Sequence, residues 1–153
     1  MIPLGCGAGC DAVLDTGTSL ITVPTAVYET ALSELSKLDA SCLNLGAMPD
    51  LVITLGGHDY SLPPQSYVGV VMGTSPVGAD RWFPRRGRGG ACELLLMDSG
   101  SFRGDFGPVW IIGMPFFRYY YTTFDLGFAP LDPTGRRVWT APASERCAPA
   151  HDE

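Results

Sequence analysis

The stretch Cys6-Gly7-Ala8-Gly9-Cys10-Asp11-Ala12-Val13-Leu14-Asp15-Thr16-Gly17-Thr18-Ser19-Leu20 decides how the rest of the chain is read. Asp11 to Leu14 is a short apolar run that ends abruptly at the polar, turn-forming cluster Asp15 to Ser19. Leu20-Ile21-Thr22-Val23 then resumes an extended pattern, so the segment reads as strand, loop, strand. The Cys6-x-x-x-Cys10 spacing fits either a small disulfide loop or half of a metal site. An aspartate placed directly after a buried strand, with Thr16, Gly17 and Thr18 beside it, is surrounded by groups that can hydrogen-bond its carboxylate. The glycine removes steric bulk, so that a backbone amide can approach. Asp-Thr-Gly is equally an ordinary turn sequence, and the tripeptide alone does not choose between the two readings.

Downstream, Pro24 suits the first turn of a helix. Val27, Tyr28, Ala31, Leu32, Leu35 and Leu38 recur at three-to-four spacing, which predicts an amphipathic helix over 24–37. Leu51 to Leu55, Gly56-Gly57, then His58 to Leu62 reads as a strand, a two-residue turn and a strand, because paired glycines allow the positive φ that tight hairpins need. Pro63-Pro64 ends it. Tyr67 to Met72 is expected as a further strand and Gly73 to Gly90 as a long loop. Cys92 to Met97 and Val109 to Ile112 are apolar runs, and Tyr119 to Phe124 is a β-prone aromatic and threonine run. From about Ala141 the chain is rich in proline and alanine and is expected to be loose.

Composition narrows the class. The 153 residues carry 16 acidic and 10 basic side chains, a net charge of −6, which argues against a nucleic-acid partner because phosphate recognition needs a basic face. With 46% hydrophobic residues the chain is expected to form a globular core in one domain. Nineteen glycines, thirteen prolines and a single lysine, Lys37, describe a turn-rich β protein rather than a helical bundle. No apolar run approaches the roughly 18 residues that cross a bilayer; the longest are Leu51 to Leu55 and Trp110 to Phe117, so no membrane span is expected. The segment Met1 to Cys6 lacks the basic start and apolar run of a secretory signal, which leaves compartment to be read from cysteine use. The five cysteines are an odd set, and only His58 and His151 could complete a zinc site. Neither stands in a ligand-like pair, so no metal is expected.

In this wider context the Cys6 to Leu20 segment resembles the second catalytic segment of pepsin-like aspartic proteases, in which a small disulfide loop precedes the strand bearing an active-site Asp-Thr-Gly. Further matches follow in family order. Pro24 to Leu35 looks like the family's helix, and Met48 to Pro64 is similar to its Pro-Asp hairpin and Pro-Pro segment. Trp110-Ile111-Ile112-Gly113 and Tyr120 to Asp125 look like its hydrophobic-hydrophobic-Gly element and the strand after it. Together these cover roughly residues 4 to 125.

The resemblance implies an all-β lobe of mainly antiparallel strands with one or two short helices. It implies the C-terminal lobe of a pepsin-like peptidase domain over 1–142, incomplete at its start, followed by a loose tail over 143–153. Asp15 would be one member of the catalytic aspartate pair. Gly17 would offer its amide and Thr18 its hydroxyl to that carboxylate, while Thr16 would reach across to the partner lobe. Ile111, Ile112 and Gly113 would pack behind the catalytic loop, and Ser19 and Ile111 would line the substrate cleft. Cys6–Cys10 and Cys42–Cys92 would be the disulfides, with Cys147 left over. No cofactor is implied.

Asp98-Ser99-Gly100-Ser101, after Leu94 to Met97, superficially resembles a first-lobe catalytic motif. It falls only twelve residues before Trp110 and lacks a strand and helix of its own, so Asp98 is expected in a turn between strands. The arginine-rich Arg81 to Gly90 segment is expected as a solvated insertion loop. Leu126 to Trp139 departs from the family pattern, and either Gly127 to Pro130 or Val138 to Pro142 could supply the closing strand. His58 is expected to be exposed beside its turn, and no serine or cysteine nucleophile has a plausible histidine near it.

The implied activity is endopeptidase cleavage of polypeptides by a water activated between two aspartates. One aspartate cannot act as base and acid at once, so the expected partner is an N-terminal lobe of the same protein. The alternatives are a catalytically inactive binding module on the same fold and a one-lobe homodimeric protease. Disulfides and a shared proton point to the secretory route, extracellular space or an acidic vacuole or lysosome-like compartment.

Overall fold

The computed structural model describes residues 6, 9–34, 38–39, 41–71, 91–127 and 135–144. Its elements in chain order are β1 (Asp11–Leu14), β2 (Ile21–Val23), α1 (Thr25–Glu34), a 3₁₀ turn (Leu45–Ala47), β3 (Leu51–Leu55), β4 (His58–Leu62), α2 (Pro64–Tyr67), β5 (Val68–Val71), β6 (Ala91–Leu94), β7 (Leu96–Asp98), β8 (Val109–Ile112), α3 (Met114–Phe117), β9 (Tyr120–Asp125) and β10 (Arg137–Pro142). The fold is mostly strand with a few short helices. The chain divides into two compact units, Met1–Pro115 and Phe116–Glu153.

The first unit is built on a four-stranded sheet of order β1-β8-β2-β7. β8 is its hub. It runs parallel to β1, with Asp11 opposite Val109 and Leu14 opposite Ile112, and antiparallel to β2, with Ile21 opposite Ile112. β7 completes the sheet parallel to β2. Among the described residues antiparallel pairs outnumber parallel ones, but this central sheet is mixed. Its interior is apolar, as burial requires: Ile21, Val23, Leu96, Val109 and Ile112 are buried, and so are Val27 and Ala31 of α1. Ile21, Val23, Val27, Ala31, Leu96 and Trp110 are among the residues lining a cavity of about 40 Å³ in this core.

The hairpin forms where the glycines demand it. β3 pairs with β4 through Leu55 opposite His58, and Gly56 and Gly57 take φ of 58° and 83°, the left-handed pair of a two-residue turn. His58 is exposed. Other boundaries shift for local reasons. Pro24 precedes α1 rather than opening it, and its carbonyl accepts from the amides of Val27 and Tyr28 at 2.9 and 2.9 Å. Residues 35–37, expected at the end of this helix, lie outside the described residues.

Tyr67 belongs to the short helix α2 and not to a strand, because Pro64 starts a helical turn in which the Ser66 amide donates to the Pro63 carbonyl at 2.8 Å. The Tyr67 ring is fully buried and its hydroxyl donates to the Pro49 carbonyl. Burial, and secondarily the charge of Asp50, push its phenol up to about 12.

The apolar run Cys92 to Met97 is divided at Leu95 between two strands. β6 pairs with β5 while β7 pairs with β2, and Leu95 carries the chain between them. Its amide donates to the Tyr67 carbonyl at 2.7 Å, and its carbonyl accepts from Ile21 at 2.9 Å. Asp98 is the last residue of β7 and not a free turn residue. The expected Gly73 to Gly90 loop with its arginines, Cys147 and His151 lie outside the described residues.

In the second unit β9 and β10 form an antiparallel pair from Tyr120 opposite Pro142 to Asp125 opposite Arg137. Of the two closing segments considered, the structure therefore uses the one containing Val138 to Pro142. Gly127 instead turns the chain out of β9, its amide bonding the Asp125 carboxylate at 2.9 Å. Pairing reaches past the point where looseness was expected: Ala141 and Pro142 are in β10, and the Ala143 amide donates to the Tyr119 carbonyl at 2.8 Å. Phe116 stacks on Tyr120 with ring centroids 4.9 Å apart.

Disulfides join Cys6 to Cys10 and Cys42 to Cys92, the second across a sequence separation of 50. Cross-linking a loop of that size removes unfolded-state entropy worth about 4 kcal/mol. Replacing Cys42 and Cys92 together by alanine is expected to lower the unfolding free energy by about that amount in a urea titration; a loss under about 1 kcal/mol would show that the bond closes no entropically costly loop.

Candidate active site

Asp15 stands immediately after β1, and the end of β8 fixes it there. The Asp15 amide donates to the Ile112 carbonyl at 3.0 Å, continuing the β1–β8 ladder by one bond. The chain then turns back on itself, the Thr18 amide approaching the Asp15 carbonyl at 3.3 Å. This turn brings two donors to the carboxylate. The Gly17 amide donates to Oδ1 at 2.9 Å, and the Thr18 hydroxyl donates to Oδ2 at 2.5 Å.

Both bonds favour the charged form. The Thr18 hydroxyl first, and the Gly17 amide second, hold the Asp15 carboxyl below the ordinary aspartate range, against a small opposing effect of burial. Asp15 remains partly open to solvent. It is a carboxylate of fixed orientation, biased toward the charged form and partly open to solvent.

Gly113 makes this geometry sterically possible. A Cβ at that position would be driven into the carbonyl oxygens of Thr18 and Leu20. The close crossing lets the next residue clamp the loop, the Met114 amide donating to the Thr18 carbonyl at 2.8 Å. Ile112 and Gly113 are buried behind the loop and Ile111 is half-buried, while Thr16 and Ser19 are exposed. The structure thus gathers Asp15, Gly17, Thr18, Ile112 and Gly113 into one local arrangement, and leaves Thr16 and Ser19 at its surface.

Register adds neighbours that the sequence did not single out. Val13 lies opposite Ile111, and Ile111 lies opposite Thr22, so the three share a row across the sheet. Val13 lies two residues before Asp15, next to the end of β1. Val13 is 48% exposed, unusual for a valine in a sheet, whereas Thr22 is buried. Nothing local marked Val13, Thr22 or the amide of Met114; their placement comes from the cross-strand register.

Asp98 is not part of this arrangement. Its Oδ1 accepts from the Thr25 hydroxyl at 2.8 Å and the Gly100 amide at 2.7 Å. It lies opposite Val23, whereas the end of β2 nearest Asp15 is Ile21. Among the described residues no group of three or more His, Cys, Asp or Glu side chains is disposed to hold a metal ion, and no helix is long and apolar enough to cross a membrane.

The family described as "Eukaryotic aspartyl protease" matches residues 3–131. The chain is 30% identical over 131 residues to pepsin A of Bos taurus, covering 81% of the chain and 30% of that protein. It is 31% identical to gastricsin of Homo sapiens over 129 residues, covering 80% and 29%, and 33% identical to cathepsin E of Aquarana catesbeiana over 142 residues, covering 82% and 30%. The chain thus spans about 30% of the length of these relatives. Among solved structures it is similar to the aspartic proteinase from Irpex lacteus, with a TM-score of 0.55 at 18% identity, over 87% of this chain and 37% of that one; that likeness speaks for the fold.

Two measurements probe the geometry itself. Gly113→Ala is expected to cost about 3 kcal/mol or more in unfolding free energy, because neither carbonyl can retreat without breaking the β8 clamp; a loss below about 0.5 kcal/mol would mean the crossing is not tight. The Asp15 carboxyl carbon followed by NMR should titrate below the ordinary aspartate value of about 3.9, and Thr18→Val should raise its midpoint. Being depressed, this carboxylate supports the fold above its unfolded-state value and loses that contribution as the pH falls through its lowered one. An unmoved midpoint in Thr18→Val would remove the hydroxyl from the account.

Proposed function

The chain belongs to the eukaryotic aspartyl protease family, and from that premise we propose that it supplies one of the two catalytic aspartates of an endopeptidase acting on internal peptide bonds of polypeptides. The observation that carries this reading is the Asp15 carboxylate, held between the Gly17 amide and the Thr18 hydroxyl and partly open to solvent. The peptidase lobe runs to Pro142, and the second aspartate comes from another lobe, in keeping with the share of the relatives that the chain spans.

Amide hydrolysis in this scheme needs a proton acceptor for the attacking water and a proton donor for the scissile amide. Two carboxylates close together cannot both ionise freely, so one proton is shared and the roles divide. Asp15, with two donors on its oxygens, is suited to the charged part of that pair. It accepts the proton of the water while the neutral partner hydrogen-bonds the substrate carbonyl and then protonates the leaving nitrogen. Thr18 and Gly17 orient the carboxylate, so the water needs no search for its acceptor.

Ile111 and the exposed Val13 opposite it, two residues before Asp15, offer an apolar wall consistent with a cleft favouring apolar side chains. Thr16 and Ser19 are positioned at the surface to meet the partner lobe and the substrate. The two disulfides and the need for a shared proton favour an acidic compartment reached through the secretory route.

The test is a peptidase assay across acidic pH on the longest polypeptide that carries this chain. Asp15→Asn, which keeps the shape and removes the charge, should lower kcat by about 10³-fold or more while substrate binding persists. Activity surviving that substitution would sink the proposal, and a complete absence of activity in the unsubstituted polypeptide would favour a binding module. Cleavage by this chain alone, rising with the square of its concentration, would instead assign the second aspartate to another copy.

A further inference from the structure

Each disulfide holds one of its cysteines in a left-handed backbone conformation, Cys6 at φ 65° and Cys42 at φ 59°, which non-glycine residues resist. The two bonds differ in access. Cys92 is 4% exposed on the β5–β6 hairpin and Cys42 is half-buried, whereas Cys6 is exposed and Cys10 half-buried. An external thiolate can therefore approach Cys6 in the folded protein, and reaches Cys92 only when the hairpin opens.

We propose that Cys6–Cys10 is a site of reversible thiol exchange, modified at Cys6 by low-molecular-weight thiols of the glutathione class, while Cys42–Cys92 stays closed. The incoming thiolate attacks Cys6 Sγ and forms a mixed disulfide there. The Cys6–Cys10 bond breaks, its electron pair leaving on Cys10 Sγ, which takes a proton from solvent. A second thiolate attacks the adduct's small-molecule sulfur, releasing the Cys6 thiolate and the oxidised disulfide of the reagent. One protein disulfide is reduced and two thiols are oxidised, so the electrons balance. Opening also frees Cys6 from its left-handed backbone.

The consequence is local. Within the loop the Gly9 amide donates to the Cys6 carbonyl at 2.9 Å. Gly9 packs on the turn between Gly104 and Gly107, so closely that a Cβ on Gly107 would lie 2.6 Å from the Gly9 carbonyl oxygen. β1 is held independently of this contact. Its Asp11 amide donates to the Pro108 carbonyl at 3.1 Å and its four residues pair with β8, while the Asp11 carboxylate alone touches that turn, accepting from the Phe106 amide at 3.0 Å. Exchange at Cys6 thus loosens the Gly9–Gly107 contact, beside which Phe102 and Phe106 stand 61% and 77% exposed, and leaves Asp15 in place.

The experiment uses the oxidised chain with any free thiol alkylated beforehand by iodoacetamide. Glutathione is added in steps under native conditions, the reaction is quenched with acid, and the cysteines are mapped by mass spectrometry alongside amide hydrogen exchange. Cys6–Cys10 should reach half-opening at about tenfold lower glutathione than Cys42–Cys92, with the first adduct on Cys6. The Gly9 amide should exchange faster and the Asp15 amide at its original rate. Simultaneous opening of both bonds, a first adduct on Cys10, no adduct before global unfolding, or faster exchange at Asp15 would each overturn the proposal.

Discussion

Two backbone segments cross at Gly113 with no side chain between them, and the rest of the first unit is arranged around that crossing. On one side of the glycine the Ile112 carbonyl takes the Asp15 amide, and on the other the Met114 amide reaches the Thr18 carbonyl. The loop from Asp15 to Thr18 is therefore pinned at both ends by three consecutive residues of one segment. For those residues to meet both ends, β8 has to lie between β1 and β2, parallel to the first and antiparallel to the second. The mixed sheet follows from the clamp. Backbone bonds of this kind, made on a buried strand, hold a loop far more rigidly than the side-chain contacts of an ordinary surface turn.

The same clamp explains why Asp15 is tuned by neutral donors. Its carboxyl is lowered by the Thr18 hydroxyl and the Gly17 amide, short-range bonds whose strength depends on geometry. A neighbouring cation would also lower it, but a surface ion pair is weakened by salt and by side-chain freedom. Donors fixed by the backbone turn are not. They also leave the net charge of the site to the carboxylate itself, so the approach of a second carboxylate meets an unscreened like charge. The division of one proton between two such groups belongs to the pair as a whole, which is why one lobe prepares a role that it cannot complete alone on the proposed reading.

How much of this was legible in the sequence depended on how far apart in the chain the partners lie. The β3–β4 hairpin was readable to the residue because its determinants, Gly56 and Gly57, sit inside it. The strand before Asp15 and the body of α1 were readable from periodicity. The break at Leu95 was not, since it exists only because β6 and β7 pair with different, distant strands. Tyr67 was misplaced in a strand because its burial against the Pro49 carbonyl outweighs the extended preference of the residues after it. The closing strand stayed ambiguous because Gly127 to Pro130 and Val138 to Pro142 have similar local character; register against β9 resolves it. Within the candidate site Asp15, Gly17 and Thr18 were visible as a local motif, whereas Val13 beside Ile111 needed the cross-strand register.

Asp98 shows that the local motif is not what makes a site. Its carboxylate accepts the amide of the glycine two residues on, Gly100, and the hydroxyl of a threonine, Thr25, as Asp15 accepts from Gly17 and Thr18. Both aspartates close a short strand, and Asp-x-Gly gives the same turn in each case. The difference lies in what surrounds them. Asp98 lies opposite the last residue of β2 and fastens the start of α1 through Thr25, so its Oδ1 helps to hold two elements together. Asp15 lies at the other end of the sheet, where Gly113 lets the backbone close behind it and both of its donors come from its own loop. One carboxylate ties two elements of the fold together; the other is bonded within its own loop. The chemistry available to Asp15 therefore comes from the non-local crossing, and the Asp-Thr-Gly sequence contributes the donors that the crossing puts to use.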